Sequence, residues 1–167
     1  MRTTAVRLYG ARDLRVESFE LPEPGAREVL MRVVTDSLCT STYKAVIQGS
    51  AHKRVPPDVA EHPVVIGHEM CGELVEVGSG LTDRWQVGQR VVIQPALKLE
   101  SNYDPGYSYR YVGGNMTYAV VPEIVLERGC LLPYGGDSFY KGSLVEPIGC
   151  VLRAFKGMYH TDYTSYT

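Results

Sequence analysis

The sequence lacks several features that would place the protein in common functional classes. It has four cysteines in 167 residues, and no two of them form a CxxC pair, which argues against a ribbon-type structural metal site and a dense disulfide framework. No segment approaches the roughly 20 consecutive apolar residues that a membrane span needs. The first ten residues also lack the apolar run of a signal peptide. We therefore expect a cytoplasmic protein without a membrane role.

The chain also has little net charge. Its 17 basic and 19 acidic residues give a formal net charge of -2, whereas binding to nucleic acid or anionic lipid needs a concentrated basic face. A nucleic-acid partner is therefore not expected. With 44% hydrophobic and 22% charged residues, a chain of this length can bury one core. We expect a single domain over residues 1–167.

No dinucleotide-binding fingerprint is present either. A GxGxxG run that follows a strand and opens a helix is the pattern that binds the pyrophosphate of NAD(P). The nearest candidate begins at Gly78 and Gly80 but has Asp83 in place of the third glycine, which predicts a plain turn. We therefore expect a Rossmann nucleotide-binding domain to be absent from this chain.

Short strand patterns fill most of the sequence. Alternating or β-branched apolar residues predict strands over residues 4–8, 14–19, 29–35, 71–77 and 90–93, separated by glycine and proline turns. Many short strands with little helix favour an antiparallel barrel or sandwich. Residues 100–118 contain five tyrosines with one proline and three glycines, a composition that predicts an ordered loop.

Two segments follow a helical pattern instead. The first, residues 41–48, opens with serine and threonine residues suited to helix capping and ends before Gly49. The second covers residues 143–159, where apolar residues recur every three or four positions up to Tyr159. This spacing is typical of an amphipathic helix. Glu146 lies near the start of the second helix.

The most informative local motif is GHEMCG at residues 67–72, which places a histidine and an acid at a turn directly before a strand. A neutral imidazole in such a place can give one nitrogen to a metal while a second group holds the other nitrogen. Taken alone, a histidine such as His68 is more often a hydrogen-bonded residue of the core or of a loop than a metal ligand.

Cys39 and Glu146 add two further donors of different chemistry. Cys39 directly precedes the first predicted helix, and Glu146 precedes Pro147 in the last one, so a thiolate, an imidazole and a carboxylate come from three segments. Zinc accepts this mixture, and three protein ligands with a fourth position open to water or substrate are typical of a catalytic zinc. The sequence therefore predicts one zinc ion with ligands from these segments.

Three motifs together resemble the N-terminal catalytic domain of the zinc-dependent medium-chain dehydrogenase/reductase family, the alcohol and polyol dehydrogenases. They are GHExxGxxxxVG at residues 67–78, CTS at 39–41 and LVEPIG at 144–149. The resemblance covers essentially the whole chain and implies a mainly β, GroES-like, partly open barrel with a few short helices and a C-terminal amphipathic helix. It also implies hydride transfer between NAD(P) and an alcohol, polyol or sugar phosphate, in a full-length protein that forms homo-oligomers.

The resemblance implies a role for each candidate residue. It places the zinc thiolate on Cys39 and the histidine ligand on His68. Glu146 takes the third ligand position, which is a cysteine in typical alcohol dehydrogenases and an acid in the polyol and sugar-phosphate branch. In that branch Glu69 also approaches the metal, so Glu69 is either a ligand or a carboxylate beside the ligands. Ser41 takes the position of the hydroxyl that passes the substrate proton outward, and its alternative role is a helix N-terminal cap.

The chain departs from the family pattern at two neighbours of this site. Thr42 stands where an acid commonly orients the zinc histidine, which predicts weaker zinc binding. Lys44 stands where a histidine often ends the proton relay. The four-cysteine structural lobe of many relatives is missing as well, so we expect one zinc rather than two.

The remaining charged and sulfur side chains are interpreted more simply. Four loop cations are candidates to contact a substrate phosphate, although each is more often solvated surface charge: Lys53, Arg54, Lys98 and Arg110. Free cysteine commonly packs as a small hydrophobe, so three cysteines are expected to be structural: Cys71, Cys130 and Cys150. Three histidines without a surrounding motif are expected at the surface: His52, His62 and His160.

Two other functions are compatible with a barrel of this kind. A zinc-free quinone-reductase-like relative is an oxidoreductase of the same superfamily, but such relatives generally lack the cysteine and GHE residues. A non-enzymatic GroES-like module, which assembles as a ring or binds a partner, has no reason to bring Cys39, His68 and Glu146 into register. A measurement of bound zinc distinguishes both from the dehydrogenase.

Overall fold

The computed structural model describes residues 1–158. In chain order, its strands are β1 (Arg2–Gly10), β2 (Asp13–Glu20), β3 (Val29–Asp36), β4 (Val64–Val65), β5 (Met70–Val77), β6 (Arg90–Ile93), β7 (Tyr118–Val121) and β8 (Leu131–Pro133). Its α-helices are α1 (Thr40–Gln48), α2 (Glu123–Glu127), α3 (Phe139–Gly142) and α4 (Val145–Met158), and a short 3-10 turn covers Gly49–Ala51.

The strands form two antiparallel sheets that do not close into a complete barrel. One sheet has the order β2-β1-β4 and the other has the order β7-β3-β5-β6-β8. An isolated bridge between Ala5 and Met116 joins the first sheet to the loop that precedes β7. The mainly β architecture that the strand patterns predict is therefore confirmed.

The centre of the larger sheet is also the most buried part of the fold. Met31 on β3 and Leu74 on β5 are fully buried in one apolar cluster. Gly72 lies where β5 passes close to β3, because a Cβ atom there would be 2.0 Å from the carbonyl oxygen of Arg32. The turn before β5, which carries the GHE motif, is thus attached to a strand with neighbours on both sides.

The five predicted strands are all present, and each extends at most two residues beyond its predicted limits. The patterns missed β4, β7, β8 and the short helices α2 and α3. Helix α1 begins at Thr40, and its N-cap is Cys39, whose side chain makes no capping hydrogen bond. The alternative role of Ser41 as the helix cap is therefore wrong, since Ser41 is the second residue of the helix.

The predicted C-terminal helix is present as α4, although its apolar residues are not buried. Ile148, Val151 and Leu152 are 53%, 54% and 57% exposed, so the described part of the chain leaves more than half of each of these side chains open. Tyr159, the last apolar position of the predicted pattern, and His160 lie outside the described residues. No helix within residues 1–158 has both the length and the apolar character that a membrane crossing demands.

Candidate metal centre

Three potential metal donors converge at one end of the larger sheet. The sulfur of Cys39, a ring nitrogen of His68 and a carboxylate oxygen of Glu69 all lie within 4.8 Å of one another. Cys39 stands at the start of α1, while His68 and Glu69 occupy the turn that leads into β5. A thiolate, an imidazole and a carboxylate form a donor set that zinc accepts. The residues present therefore fit a zinc ion.

Asp36, at the end of β3, fixes the turn that carries two of these donors. Its carboxylate accepts hydrogen bonds from the Glu69 backbone N–H at 2.9 Å and from Asn115 Nδ2 at 2.8 Å. Gly67 has a φ of 90°, and a Cβ atom there would lie 2.3 Å from an Asp36 oxygen, so both the conformation and the space require glycine. Burial raises the pKa of Asp36 to about 7.

His68 is held between hydroxyl groups on both of its nitrogens. Nδ1 lies 3.1 Å from Thr42 Oγ1, and Nε2 lies 3.2 Å from Tyr107 Oη. Burial lowers the pKa of His68, which favours the neutral imidazole that a metal requires. The orienting carboxylate of the family is missing, as the sequence indicates, but the buried hydroxyl of Thr42 takes its place.

The two glutamates occupy different positions around the donor cluster. Glu69 is 4% exposed and its carboxylate contacts Ser37 Oγ, which also lies 2.9 Å from the Ser143 carbonyl oxygen. Glu146, near the start of α4, is half-buried and accepts a hydrogen bond from Cys150 Sγ at 3.2 Å. Burial, together with the nearby Glu69 carboxylate, raises the pKa of Glu146. The compact group of three donors includes Glu69 and leaves out Glu146.

Ser41 and Tyr107 form a hydroxyl pair beside the donors. Ser41 Oγ lies 3.0 Å from Cys39 Sγ and 2.7 Å from Tyr107 Oη. Tyr107 comes from the tyrosine-rich loop and is only 2% exposed, and its burial raises its pKa to about 12. The sequence pattern does not distinguish Tyr107 from the other four tyrosines, because an irregular loop has no periodicity that assigns side chains to a face.

Arg54 and His52 pack on the outer part of the same tyrosine. The Arg54 Cζ atom lies 5.1 Å from the centre of the Tyr107 ring, and the His52 ring stacks on it at 5.8 Å with an interplanar angle of 8°. His52 is half-buried against this ring, so only part of its side chain lies at the surface. The other candidate phosphate contacts are exposed and lie away from this site: Lys53, Lys98 and Arg110.

These side chains surround a cavity of about 290 Å³, near the lower end of the range typical of small-molecule sites. The donor cluster, the hydroxyl pair, Arg54 and the first turns of α4 all contribute to its walls. Cys150 lines the cavity and is exposed, so the expectation of a structural role in the core is wrong for this residue. Cys71 and Cys130 are buried, as predicted.

The family of this chain follows from a comparison with known protein families. Residues 25–129 match the family described as the alcohol dehydrogenase GroES-like domain, and the chain belongs to this family. The GroES-like fold that the sequence motifs imply is thereby confirmed.

Two curated proteins are similar to this chain over nearly its whole length. The chain is 52% identical over 165 residues to L-sorbose 1-phosphate reductase of Klebsiella pneumoniae, an alignment that covers 98% of this chain and 40% of that protein. It is 45% identical over 165 residues to mannitol-1-phosphate 5-dehydrogenase of Aliivibrio fischeri, covering 99% of this chain and 39% of that protein. The chain thus spans about two-fifths of the length of these curated relatives.

A solved structure shows the same fold. The crystal structure of 2R,3R-butanediol dehydrogenase from Bacillus subtilis superposes with a TM-score of 0.76 at 28% sequence identity, covering 92% of this chain and 47% of that chain. The resemblance to the alcohol and polyol dehydrogenases that the motifs indicate is confirmed.

Proposed function

We propose that this chain is the catalytic domain of a zinc-dependent oxidoreductase that interconverts a polyol or sugar phosphate and its ketone, with NAD(P) bound by a separate domain. The convergence of Cys39, His68 and Glu69 in one cavity supports this proposal most directly. A non-catalytic barrel would have no use for a neutral imidazole and a thiol facing a buried carboxylate. The sequence identity of 52% and 45% to two proteins named as a reductase and a dehydrogenase supports the same reaction class.

We assign the zinc ligands to Cys39, His68 and Glu69, with Glu146 as a neighbouring carboxylate outside the ligand group. Zinc, when bound, supplies a Lewis acid that lowers the pKa of a substrate hydroxyl. Thr42 keeps the His68 imidazole in one orientation, since its hydroxyl lies 3.1 Å from Nδ1. Asp36 performs the same task for the backbone of Glu69.

The hydroxyl pair is suited to moving the proton that leaves the substrate. Ser41 lines the cavity and is only half-buried, so its hydroxyl can accept that proton while it gives its own to solvent water in the cavity. The high pKa of Tyr107 keeps the phenol protonated, so Tyr107 holds Ser41 Oγ in place through a hydrogen bond of 2.7 Å and does not itself carry the proton. Lys44 is exposed on α1, and we infer that the ordered part of the relay ends at Ser41.

The substrate class follows from the relatives and the cavity. Both relatives carry a phosphorylated sugar or polyol in their names. The cavity is small and is lined by several polar and charged side chains, which suits a hydroxyl-rich molecule better than a long apolar alcohol. A cytoplasmic location and a homo-oligomer at full length stay predictions, as does the absence of a nucleotide-binding domain from this chain.

Elemental analysis of zinc per chain tests this proposal, after dialysis against a mild chelator. We expect about one zinc in the wild-type chain and a sharp loss in the Cys39→Ala and Glu69→Ala variants. Glu146→Ala serves as the matched control, because its carboxylate lies outside the donor group, and it should retain zinc. No zinc in the wild type under any loading condition would contradict the dehydrogenase chemistry.

A further inference from the structure

Arg54 is the one lysine or arginine among the described residues that line the cavity. It also lines an adjoining hollow of about 390 Å³, which it shares with Glu146, Cys150 and Arg153. Arg54 therefore lies where the cavity that holds the donor cluster continues outward. A ligand with one end at the cluster would reach this side chain with its other end.

The Arg54 side chain is paired with one acid, Asp104, through its Nε atom. Its Nε lies 2.7 Å from an Asp104 carboxylate oxygen, in a pair where the side chains are 30% and 8% exposed. Asp104 is itself held by the Leu97 N–H at 2.9 Å, and Ser108 Oγ donates to the Arg54 carbonyl oxygen. No described residue accepts a hydrogen bond from the two terminal nitrogens of Arg54. Arg54 Nε makes no hydrogen bond of good geometry, so the guanidinium is held by its ion pair with Asp104 and by packing on the Tyr107 ring. Its terminal donors, the fork of the guanidinium, are available to a ligand.

The distances place this fork within reach of the donor cluster. Arg54 Cζ lies 5.1 Å, and the centre of the His68 ring 4.8 Å, from the centre of the Tyr107 ring. The guanidinium is therefore at most about 10 Å from the imidazole. An extended six-carbon chain with a terminal phosphate can reach across such a distance. A guanidinium with two free parallel donors matches the oxygens of a phosphate group better than it matches a single hydroxyl.

We propose that Arg54 binds the phosphate group of a phosphorylated polyol or sugar whose reacting hydroxyl lies at the Cys39–His68–Glu69 cluster. This assignment rests on the proposed function, because it takes that cluster as the reacting centre. Asp104 acts as the positioning residue for the guanidinium. Glu69 and Glu146 line the cavity beside the cluster, with no cation near them among the described lining residues other than Arg54, so a phosphate is best accommodated next to Arg54.

A purely structural role of Arg54 makes a different prediction. The guanidinium packs on Tyr107, which in turn contacts Ser41 and His68. If Arg54 only supported Tyr107, its replacement would weaken phosphorylated and unphosphorylated ligands alike. A phosphate contact weakens the phosphorylated ligand alone.

The test compares mannitol 1-phosphate with mannitol as ligands of the zinc-loaded protein, by isothermal titration calorimetry. We expect the wild type to bind mannitol 1-phosphate at least about tenfold more tightly, a difference of about 1.4 kcal/mol. Arg54→Gln should abolish this preference without changing the affinity for mannitol. Arg153→Gln is the matched control in the adjoining hollow and should keep the preference.

Arg54→Lys guards against a folding defect, because Arg54→Gln leaves the buried Asp104 carboxylate without its cation. The lysine retains the charge and loses the fork, so we expect a preference that is reduced several-fold but not abolished. A full preference in Arg54→Gln, or an equal loss for both ligands, would overturn the assignment. A wild type that carries one zinc yet shows no preference would also overturn it while leaving the proposed zinc chemistry intact, whereas a wild type without zinc contradicts the proposed function itself.

Discussion

Replacement of Thr42 by valine should weaken zinc binding without unfolding the protein. Valine has nearly the same shape as threonine and lacks only the hydroxyl that lies 3.1 Å from His68 Nδ1. Without metal, the imidazole can carry its proton on Nε2, where Ser41 and Tyr107 lie at 3.4 and 3.2 Å. When Nε2 binds a metal, the proton must be on Nδ1. In the variant this buried N–H has no acceptor, while in the metal-free form the Nδ1 lone pair loses the Thr42 O–H donor. Metal binding makes the imidazole N–H a stronger donor, so the larger penalty falls on the metal-bound form.

The size of the effect follows from the burial of the pair. Thr42 and His68 are 9% and 4% exposed, so water does not replace the lost acceptor. An unsatisfied buried donor costs about 1–3 kcal/mol, which corresponds to a dissociation constant for zinc that is roughly 10 to 100 times higher. The family's usual acid, introduced as Thr42→Asp, should change the constant in the opposite direction.

Competition with a chromophoric zinc chelator at neutral pH measures this constant directly. Thr40→Val is the matched control, since Thr40 is exposed on the same first turn of α1, and it should bind zinc as the wild type does. An unchanged constant in Thr42→Val, in a protein whose Cys39→Ala variant has lost zinc, would refute the reasoning about the histidine tautomer.

Two further predictions concern the fold. Gly67→Ala should lower the free energy of unfolding by about 3 kcal/mol or more, because it adds a clash with Asp36 to the cost of a positive φ. Gly129 also has a positive φ but has open space around it, so Gly129→Ala should lower the free energy of unfolding by only about 1 kcal/mol in the same urea titration. Burial raises the pKa of Cys71 from 9.0 to about 11, so the folded protein binds more protons than the unfolded chain between these values and loses about 3 kcal/mol of stability as the pH rises through them. Urea titrations of the wild type and of Cys71→Ala at pH 8 and pH 11 should show a smaller loss of unfolding free energy in the variant. An identical loss in the two proteins would contradict the role assigned to the Cys71 thiol.

The sequence predicts the central strands well because alternation along a strand determines which side chains are buried. Residues 90–93 are found with the limits that the pattern indicates, and Gly49 ends α1 as expected. Strands β4 and β8 have two and three residues, too few for any alternation to be visible. Their existence depends on pairing with distant strands, which no local pattern records.

In the candidate site, too, local sequence patterns reveal some residues, whereas others depend on contacts between distant segments. Motifs identify Cys39, His68 and Glu69, because the chemistry of these residue types is visible in their order along the chain. Asp36 and Tyr107 were missed, since their roles arise from strand register and from the path of an irregular loop. The apolar spacing after residue 143 correctly predicts an amphipathic helix, found as α4. Such a spacing shows that one face of the helix can be covered, but not which partner covers it.

The paired ends of β3 and β5 have a consequence for how the protein responds to loss of metal. Asp36 and Met70 are the last register partners of these strands, and Cys39 and His68 lie just beyond them. A bound ion would thus connect two chain segments that the sheet already holds together, unlike the ion of a zinc finger, which organises an otherwise unfolded peptide. The fold therefore does not need the ion in order to form, and a bound ion would add stability according to its affinity. We expect the metal-free site to keep its shape and to accept another divalent metal, such as cobalt, without passing through an unfolded state.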